Sequence, residues 1–254
     1  RTPPQDRLPD EYYRFAENIS VRDTVLTLNY DLVLERALSA VGKPFRRYPN
    51  RFKSISEHAG TLDSDVEEVV LLKLHGSVDW FDDRQYLESK SSLERQGFDP
   101  SHIHSLFQNP ELYGIQKLVE GLLPEGDALR HLHYAEQIDR YYAIDHGFNA
   151  PFILSPSHVK FVYAEPVLSF WRGIGRSGGY NLGVSVVGFS LPEHDEYIRI
   201  ALYQMLSNYG SWWETKFFDN QLKDFARFVD FRPTPELEAD YKAKYRFAAE
   251  DKSR

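Results

Sequence analysis

The chain of 254 residues contains no cysteine. This excludes disulfide scaffolds, cysteine nucleophiles and cysteine-ligated zinc, and it is compatible with the reducing cytoplasm, where we expect the protein. No window approaches the roughly 20 consecutive apolar residues that span a membrane. The first 20 residues are polar with three prolines, unlike a signal peptide. The net charge of −8 argues against nucleic acid as a direct partner.

Several motifs of known chemistry are also missing. We find no P-loop and no H-E-x-x-H spacing. A G-x-G-x-x-G pattern at 173–178 follows a predicted helix and precedes a strand, the reverse of a dinucleotide loop, and is interpreted as a connection. The pairs His102/His104 and His131/His133 point about 200° apart on a helix. We therefore predict no metal site.

Apolar runs alternate with amphipathic stretches along the chain, which favours an α/β fold with a mostly parallel sheet and helices on both faces. Predicted strands cover 25–28, 69–74, 152–154, 183–189 and 225–231, and predicted helices cover 10–19, 32–41, 166–174, a stretch opened by a capping box at 190–193, and 235–249.

Two regions depart from this alternation. Residues 43–68 are polar and predicted to be irregular, with a basic cluster interpreted as a solvated face: Arg46, Arg47, Arg51 and Lys53. Residues 82–150 show charged helical pieces without a clear strand, and are predicted to form a helical insert with cores at 118–123 and 129–142.

The stretch Thr24–Asp31, TVLTLNYD, has an apolar strand that breaks into Asn29, Tyr30 and Asp31 just before a helix. Polar side chains at the carboxyl end of a buried strand lie where open α/β sheets bind ligands. The alternative is structural, because Asn and Asp are common in turns and helix caps.

Three further strand ends carry groups of interest. His75 ends the VVLLKL run, and imidazole suits general-base work, although a structural histidine is the alternative. Gly188 and Ser190 precede a helix whose N-terminus could receive phosphate. Asp230 could bind ribose hydroxyls or serve as a solvated or capping residue. In a parallel sheet, all four ends would face one crevice.

These segments resemble the sirtuin superfamily, in its bacterial SIR2-like form. Thr27 to Asp31 is similar to the T-x-N-Y-D motif, and Lys73 to Trp80 resembles the K-L-H-G-S-x-D-W segment. Residues 156–171 are similar to the stretch before the last core strands. Val187 to Pro192, with Asp195, resembles G-[YF]-S-L-P-x-x-D.

The resemblance implies a Rossmann-like domain over 1–254 that takes NAD+ as its substrate. Asn29 would hold the nicotinamide ribose or the attacking water, Asp31 would organise the same pocket, and His75 would be the catalytic base. The implied NAD+-binding residues are Thr27, Gly188, Ser190, Asp195 and Asp230.

Two departures from the family pattern stand out. The N-terminal strand and G-A-G phosphate loop have no counterpart before Thr24, so part of the NAD+ site is expected to be missing from this chain. The four-cysteine zinc module of sirtuin deacylases is also absent, and the insert at 82–150 would replace it.

The resemblance favours an NAD+ glycohydrolase that releases nicotinamide and ADP-ribose, acting as an NAD+-depleting effector in bacterial antiphage defence. It implies a homo-oligomer or a partner defence protein, and no membrane. Two alternatives stay open: an NAD-dependent protein deacylase, and a non-catalytic subunit that binds NAD+ or ADP-ribose.

Overall fold

The computed structural model describes residues 7–21, 23–48, 52–55, 60–62, 66–73, 75–144, 149–153, 182–192, 195–211, 224 and 226–248. The chain divides into two compact units, residues 1–155 and 156–254.

The described parts of both units contain helices and strands. The strands are β1 (Thr24–Thr27), β2 (Phe45–Tyr48), β3 (Phe52–Ile55), β4 (Gly60–Leu62), β5 (Val69–Lys73), β6 (Trp80–Asp82), β7 (Ile115–Lys117), β8 (Leu132–Ala135), β9 (Ser185–Val187) and β10 (Arg227–Val229). The α-helices are α1 (Asp10–Asn18), α2 (Val33–Ala40), α3 (Arg84–Arg95), α4 (Pro110–Tyr113), α5 (Ile138–Ile144), α6 (Glu196–Ser211) and α7 (Pro235–Lys244).

A parallel sheet of order β1-β5-β2 forms the centre of the first unit. β5 lies in the middle because its apolar side chains can be buried on both faces. Val69 and Leu71 pack on one face with α1 and α2, and Leu72 on the other face is also buried. The predicted α/β class with a parallel sheet is therefore confirmed, as are the predicted first two helices.

A second, antiparallel sheet of order β6-β8-β7 lies in the same unit. Its core combines Phe81 of β6 with Leu106, Tyr113 and Tyr141, and the rings of Phe81 and Tyr141 meet edge to face. The prediction of a purely helical insert is thus wrong. The helices α3, α4 and α5 surround strands of three or four residues, which are too short to give a clear alternation in sequence.

Other details of the sequence interpretation also need correction. Residues 43–68 contain β2, β3 and β4, and Arg46 is buried rather than solvated. The predicted helical core at 118–123 has no helix, and 129–142 contains β8 before α5 begins. The strand expected at 152–154 is reduced to one bridge between Ile153 and Gly76.

The second unit contains a parallel pair, β9 and β10. Val186 and Phe228 pack with Tyr241 of α7 and with Tyr245, which directly follows this helix. Thr234 caps α7 by accepting a hydrogen bond from Leu237 N–H, and α7 begins at residue 235, where the predicted helix starts. α6 begins at Glu196, five residues beyond Leu191. The capping box predicted at 190–193 therefore does not start this helix.

Some predictions fall on residues outside the described ranges. They are the helix at 166–174, the glycine pattern at 173–178 and the family-like stretch at 156–171. Among the residues that the structure describes, no helix is both long enough and apolar enough to cross a membrane.

Candidate functional site

The turns that follow β1 and β5 are neighbours in the structure. Thr27 is in register with Lys73, so Asn29 and His75 each come two residues after the last registered pair. The N–H of Val78 donates to the carbonyl of Tyr30 at 2.8 Å and joins the two turns directly. The structure therefore brings the two segments that carry Asn29, Asp31 and His75 together.

The turn after β1 is held by short-range hydrogen bonds. The Asn29 N–H donates to Thr27 Oγ1 at 3.1 Å, and the Val33 N–H donates to Asp31 Oδ1 at 2.9 Å. The second contact is an Asx turn that starts α2. Asp31 thus has the structural role given above as the alternative, while the side chain of Asn29 is exposed at the tip of the turn.

A buried ion pair between β5 and α2 holds this turn in place. Lys73 Nζ lies 2.8 Å from Glu35 Oε1 of α2 and also donates to the carbonyl of Asp31. The Lys73 side chain is only 1% exposed. A buried charge of this kind needs both partners in place, so the end of β5, the start of α2 and the Asp31 backbone are fixed together.

The turn after β5 is held by a close backbone approach. His75 is 8% exposed. Gly76 has φ +79°, and a Cβ added there would lie 2.0 Å from the carbonyl oxygen of Phe152. Ser77 N–H donates to that oxygen at 3.2 Å. Only glycine accommodates this conformation and this approach, which sets the backbone directly after His75.

The same turn is attached to the antiparallel sheet and to α5. The Ala135 N–H of β8 donates to the Asp79 carbonyl at 2.9 Å, and Phe152 N–H donates to the Trp80 carbonyl at 2.6 Å. Tyr142 Oη donates to the Val78 carbonyl at 2.8 Å. Burial raises the pKa of the Tyr142 phenol to about 12, so this donor keeps its proton at neutral pH.

Replacing Tyr142 with phenylalanine is expected to lower the free energy of unfolding by about 1 kcal/mol, because the Val78 carbonyl loses its donor. Urea denaturation measures the change. Tyr203→Phe is the matched control, since Tyr203 is half exposed in the other unit, and it should change stability by less than about 0.5 kcal/mol. Equal losses in the two variants would contradict the role of this hydrogen bond.

His131 and His133 lie at a strand and not on a helix. His133 belongs to β8, and His131 is the residue just before this strand. Because alternate residues of a strand point to the same side, the two side chains share one side. His131 Nδ1 lies 2.8 Å from Asp83 Oδ1, and His133 Nδ1 lies 3.8 Å from Asp83 Oδ2. Within the described ranges, no cluster of His, Asp and Glu side chains is arranged to hold a metal ion.

The remaining predicted residues lie in the second unit. Gly188 follows β9, its N–H donates to the Val229 carbonyl at 2.8 Å, and no described atom lies within 4 Å of an added Cβ. Ser190 is exposed. Asp195 is buried, and its carbonyl accepts from Arg199 N–H, which places it at the N-cap of α6.

Asp230 follows β10 in the same unit. It forms an ion pair with Arg232, and its Oδ1 accepts from Phe231 N–H at 2.8 Å. With its side chain 12% exposed and no helix starting there, Asp230 is neither solvated nor a helix cap, and ribose binding stays a prediction. It stays a prediction that one crevice contains Asn29, His75 and these four residues: Gly188, Ser190, Asp195 and Asp230.

Comparison with known families gives a match to part of the first unit. Residues 23–111 match the model of the SIR2-like domain. The chain carries a SIR2-like domain. The matched segment contains β1, both turns and the buried Lys73–Glu35 pair. No curated protein matches the chain. A SIR2-like domain indicates an NAD-related function.

Two grooves lie among the described residues of the first unit, and Asn29, Asp31 and His75 line neither of them. The first, of about 510 Å³, is lined by α2 with Glu35 and Arg36, by Arg47 of β2, and by Asp79. The second, of about 640 Å³, is lined by Asp83, Phe107 and His133. Tyr134 and Glu120 line both grooves, so the two share a wall formed in part by β8.

Four charged residues of the SIR2-like unit were missed as functional candidates: Glu35, Arg47, Lys73 and Asp79. Lys73 interrupts an apolar strand, and Glu35 lies on a helix that packs against that strand. A buried charge requires a partner, so a charged residue at each of these positions could have predicted the ion pair from the sequence. Arg47 and Asp79 gave no comparable signal, because their pairing depends on the fold.

Proposed function

We propose that this SIR2-like domain hydrolyses NAD+ at the nicotinamide–ribose bond. The observation that carries the proposal is the direct hydrogen bond between the Asn29 turn and the His75 turn, inside the segment that matches the SIR2-like family. An amide, a carboxylate and an imidazole thus come from adjacent strand ends. Such strand ends are where open α/β sheets place their ligands.

The reaction asks little of an acid catalyst. As the N-glycosidic bond breaks, its electron pair leaves with neutral nicotinamide, and the ribose becomes oxocarbenium-like. Water then bonds to C1′ and loses a proton, giving ADP-ribose, nicotinamide and H⁺. Positioning and electrostatic stabilisation supply most of the catalysis in such a reaction.

Four residues in and next to the two turns have a role in this scheme. The exposed Asn29 side chain orients the water or a ribose hydroxyl. His75 accepts the proton. Asp31 keeps the turn fixed at the start of α2, since its Oδ1 accepts from Val33 N–H. Thr27 supports Asn29 through its hydroxyl.

The full-length chain, incubated with NAD+ alone, is expected to release nicotinamide. Asn29→Ala and His75→Ala should each reduce the rate about 100-fold or more, the usual cost of losing an orienting or proton-transfer group. Nicotinamide is quantified by chromatography. Asn18→Ala and His102→Ala, matched changes at exposed sites outside the two turns, should keep the wild-type rate.

The same assay separates the alternatives. Release that requires an acyl-lysine peptide would overturn hydrolysis in favour of protein deacylation. No release with or without peptide, combined with NAD+ or ADP-ribose binding in calorimetry, would indicate a non-catalytic binding subunit. Wild-type rates in both Asn29→Ala and His75→Ala would remove these residues from the site.

We propose further that the enzyme depletes NAD+ as an effector of antiphage defence in bacteria, as a homo-oligomer or with a partner defence protein. The family resemblance supports this role. Bacteria that express the full-length protein should lose NAD+ on phage infection, and cells expressing His75→Ala should retain it. Equal NAD+ levels in the two strains during infection would contradict the role.

A further inference from the structure

An ion pair lies directly behind the turn that carries His75. Arg47 Nη1 of β2 is 2.6 Å from Asp79 Oδ2, four residues after His75. The pair is largely buried beside the first groove, since Asp79 is 3% exposed and the Arg47 side chain 12%. At this depth an ion pair is screened weakly, and the loss of one partner leaves an unpaired buried charge.

Arg47 is itself held on several sides. Its guanidinium lies 5.3 Å from the ring centroid of Tyr134 in β8, a cation–π arrangement. Burial opposes its charged form, but the carboxylates of Asp79 and Glu35 outweigh burial and hold the pKa of Arg47 above its ordinary value. Arg47 therefore joins the parallel sheet, the antiparallel sheet and the His75 turn through one permanent charge.

Asp79 depends strongly on this partner. Its carbonyl accepts from Ala135 N–H, while Oδ1 is buried and has no hydrogen-bond partner among the described residues. Without Arg47, the carboxylate would be buried and unpaired. It would have to move toward water or take up a proton, and either change pulls on the short backbone that leads to His75.

The backbone between His75 and Asp79 is held by several close contacts. Gly76 lies against the Phe152 carbonyl, Ser77 N–H donates to the same oxygen, and Val78 N–H donates to Tyr30. If Asp79 moves, His75 and the Asn29 turn are therefore expected to move with it, because these contacts leave no flexible loop between them. A misplacement of about 1 Å at reacting groups can cost about 100-fold in rate.

We propose that Arg47 and Asp79 are positioning residues, which hold His75 and the adjoining Asn29 turn in the geometry that NAD+ cleavage requires. The inference rests on the proposed function and adds roles for two residues of the matched segment: Asp79, the aspartate of the K-L-H-G-S-x-D-W segment, and Arg47, which lies in no motif quoted above. It predicts an effect on turnover larger than any effect on NAD+ binding, because the proposal assigns both side chains to the His75 turn and neither to the substrate.

The test uses the full-length chain with Arg47→Met, Asp79→Asn and Arg47→Lys. Arg47→Met and Asp79→Asn should lower kcat about 100-fold with KM changed less than about threefold. Arg47→Lys keeps the charge but loses the planar fork, so its kcat should be intermediate. Arg36→Met is the matched control, since Arg36 lines the same groove but pairs with the exposed Asp139, and its kcat should stay at wild type.

A second measurement does not depend on activity. In the histidine region of the NMR spectrum, His75 is identified as the resonance lost in His75→Ala. It should shift or split in Arg47→Met and Asp79→Asn and stay in place in Arg36→Met. If Arg47→Met fails to fold by circular dichroism, Arg47→Lys carries both measurements.

The outcomes are distinct. Wild-type kcat and an unmoved His75 resonance in folded Arg47 and Asp79 variants would overturn the positioning role, even if their melting temperatures fall. A loss confined to KM would also overturn it. If the wild-type chain releases no nicotinamide, the proposed function fails, and the His75 resonance alone decides whether the pair positions the turn.

Discussion

Gly76→Ala is expected to abolish NAD+ cleavage and to lower the free energy of unfolding by about 2 to 5 kcal/mol. The left-handed backbone costs an L-residue about 1 to 2 kcal/mol. The added Cβ would also lie 2.0 Å from the Phe152 carbonyl oxygen, and forcing that backbone apart costs about 1 to 3 kcal/mol more. Urea denaturation and nicotinamide release measure the two effects.

Gly97 supplies the control for this prediction. It has nearly the same backbone, with φ +77° against +79° at Gly76, but no atom of the described residues lies within 4 Å of an added Cβ. Gly97→Ala should therefore cost only the conformational part, about 1 to 2 kcal/mol, and leave cleavage intact. Equal destabilisation by the two substitutions would show that the approach of Phe152 contributes nothing.

Lys73→Met should be the second large effect, lowering the free energy of unfolding by about 3 to 5 kcal/mol. The substitution leaves Glu35 buried beside an apolar side chain, and the Asp31 carbonyl loses the hydrogen bond that Lys73 donates. We expect NAD+ cleavage to fall as well, because the Asn29 turn loses its support. Chemical denaturation and the nicotinamide assay report the two losses separately.

The exposed pair Lys242–Glu238 on α7 provides the comparison. Its atoms are as close, at 2.6 Å, but the side chains are 73% and 55% exposed. Lys242→Met should cost less than about 1 kcal/mol, since water replaces the lost partner. The double variant Lys73→Met/Glu35→Leu should recover much of the stability but not the activity. If it stays as unstable as Lys73→Met, the unpaired carboxylate is not the cause.

Local patterns were sufficient for the parts of the fold that depend on near neighbours. The VVLLK run predicts a strand buried on both faces, and β5 is that strand. The Thr-Pro pair predicts the start of α7, and Thr234 caps it. In such segments, the hydrophobic pattern and the capping residue act within a few positions of each other.

Elements that depend on distant partners were missed for a physical reason. β6, β7 and β8 have three or four residues each, and they exist because they pair with one another. Arg47 belongs to a basic stretch that reads as solvated, but its partner Asp79 lies 32 residues further along the chain. Only the fold brings such charges together.

The candidate site shows the same division. The positions of Asn29 and His75 at neighbouring strand ends follow from the strand pattern and the parallel register. The Asx-turn contact of Asp31 was anticipated as an alternative. The supports behind these residues, Lys73–Glu35 and Arg47–Asp79, depend on packing between elements, which hydrophobic periodicity does not encode.

The attachment of the His75 turn to Phe152 has a consequence for how the domain is made. The Ser77–Phe152 hydrogen bond joins positions 75 residues apart, since 152 minus 77 is 75, and the Val78–Tyr30 bond joins positions 48 apart. Contacts of long sequence separation form late, because loop closure costs entropy before they can stabilise anything. During synthesis, the turn therefore acquires its full set of bonds only after residue 152 has left the ribosome. A nascent SIR2-like segment that ends at residue 111 would still lack the contact with Phe152 that holds the backbone directly after His75.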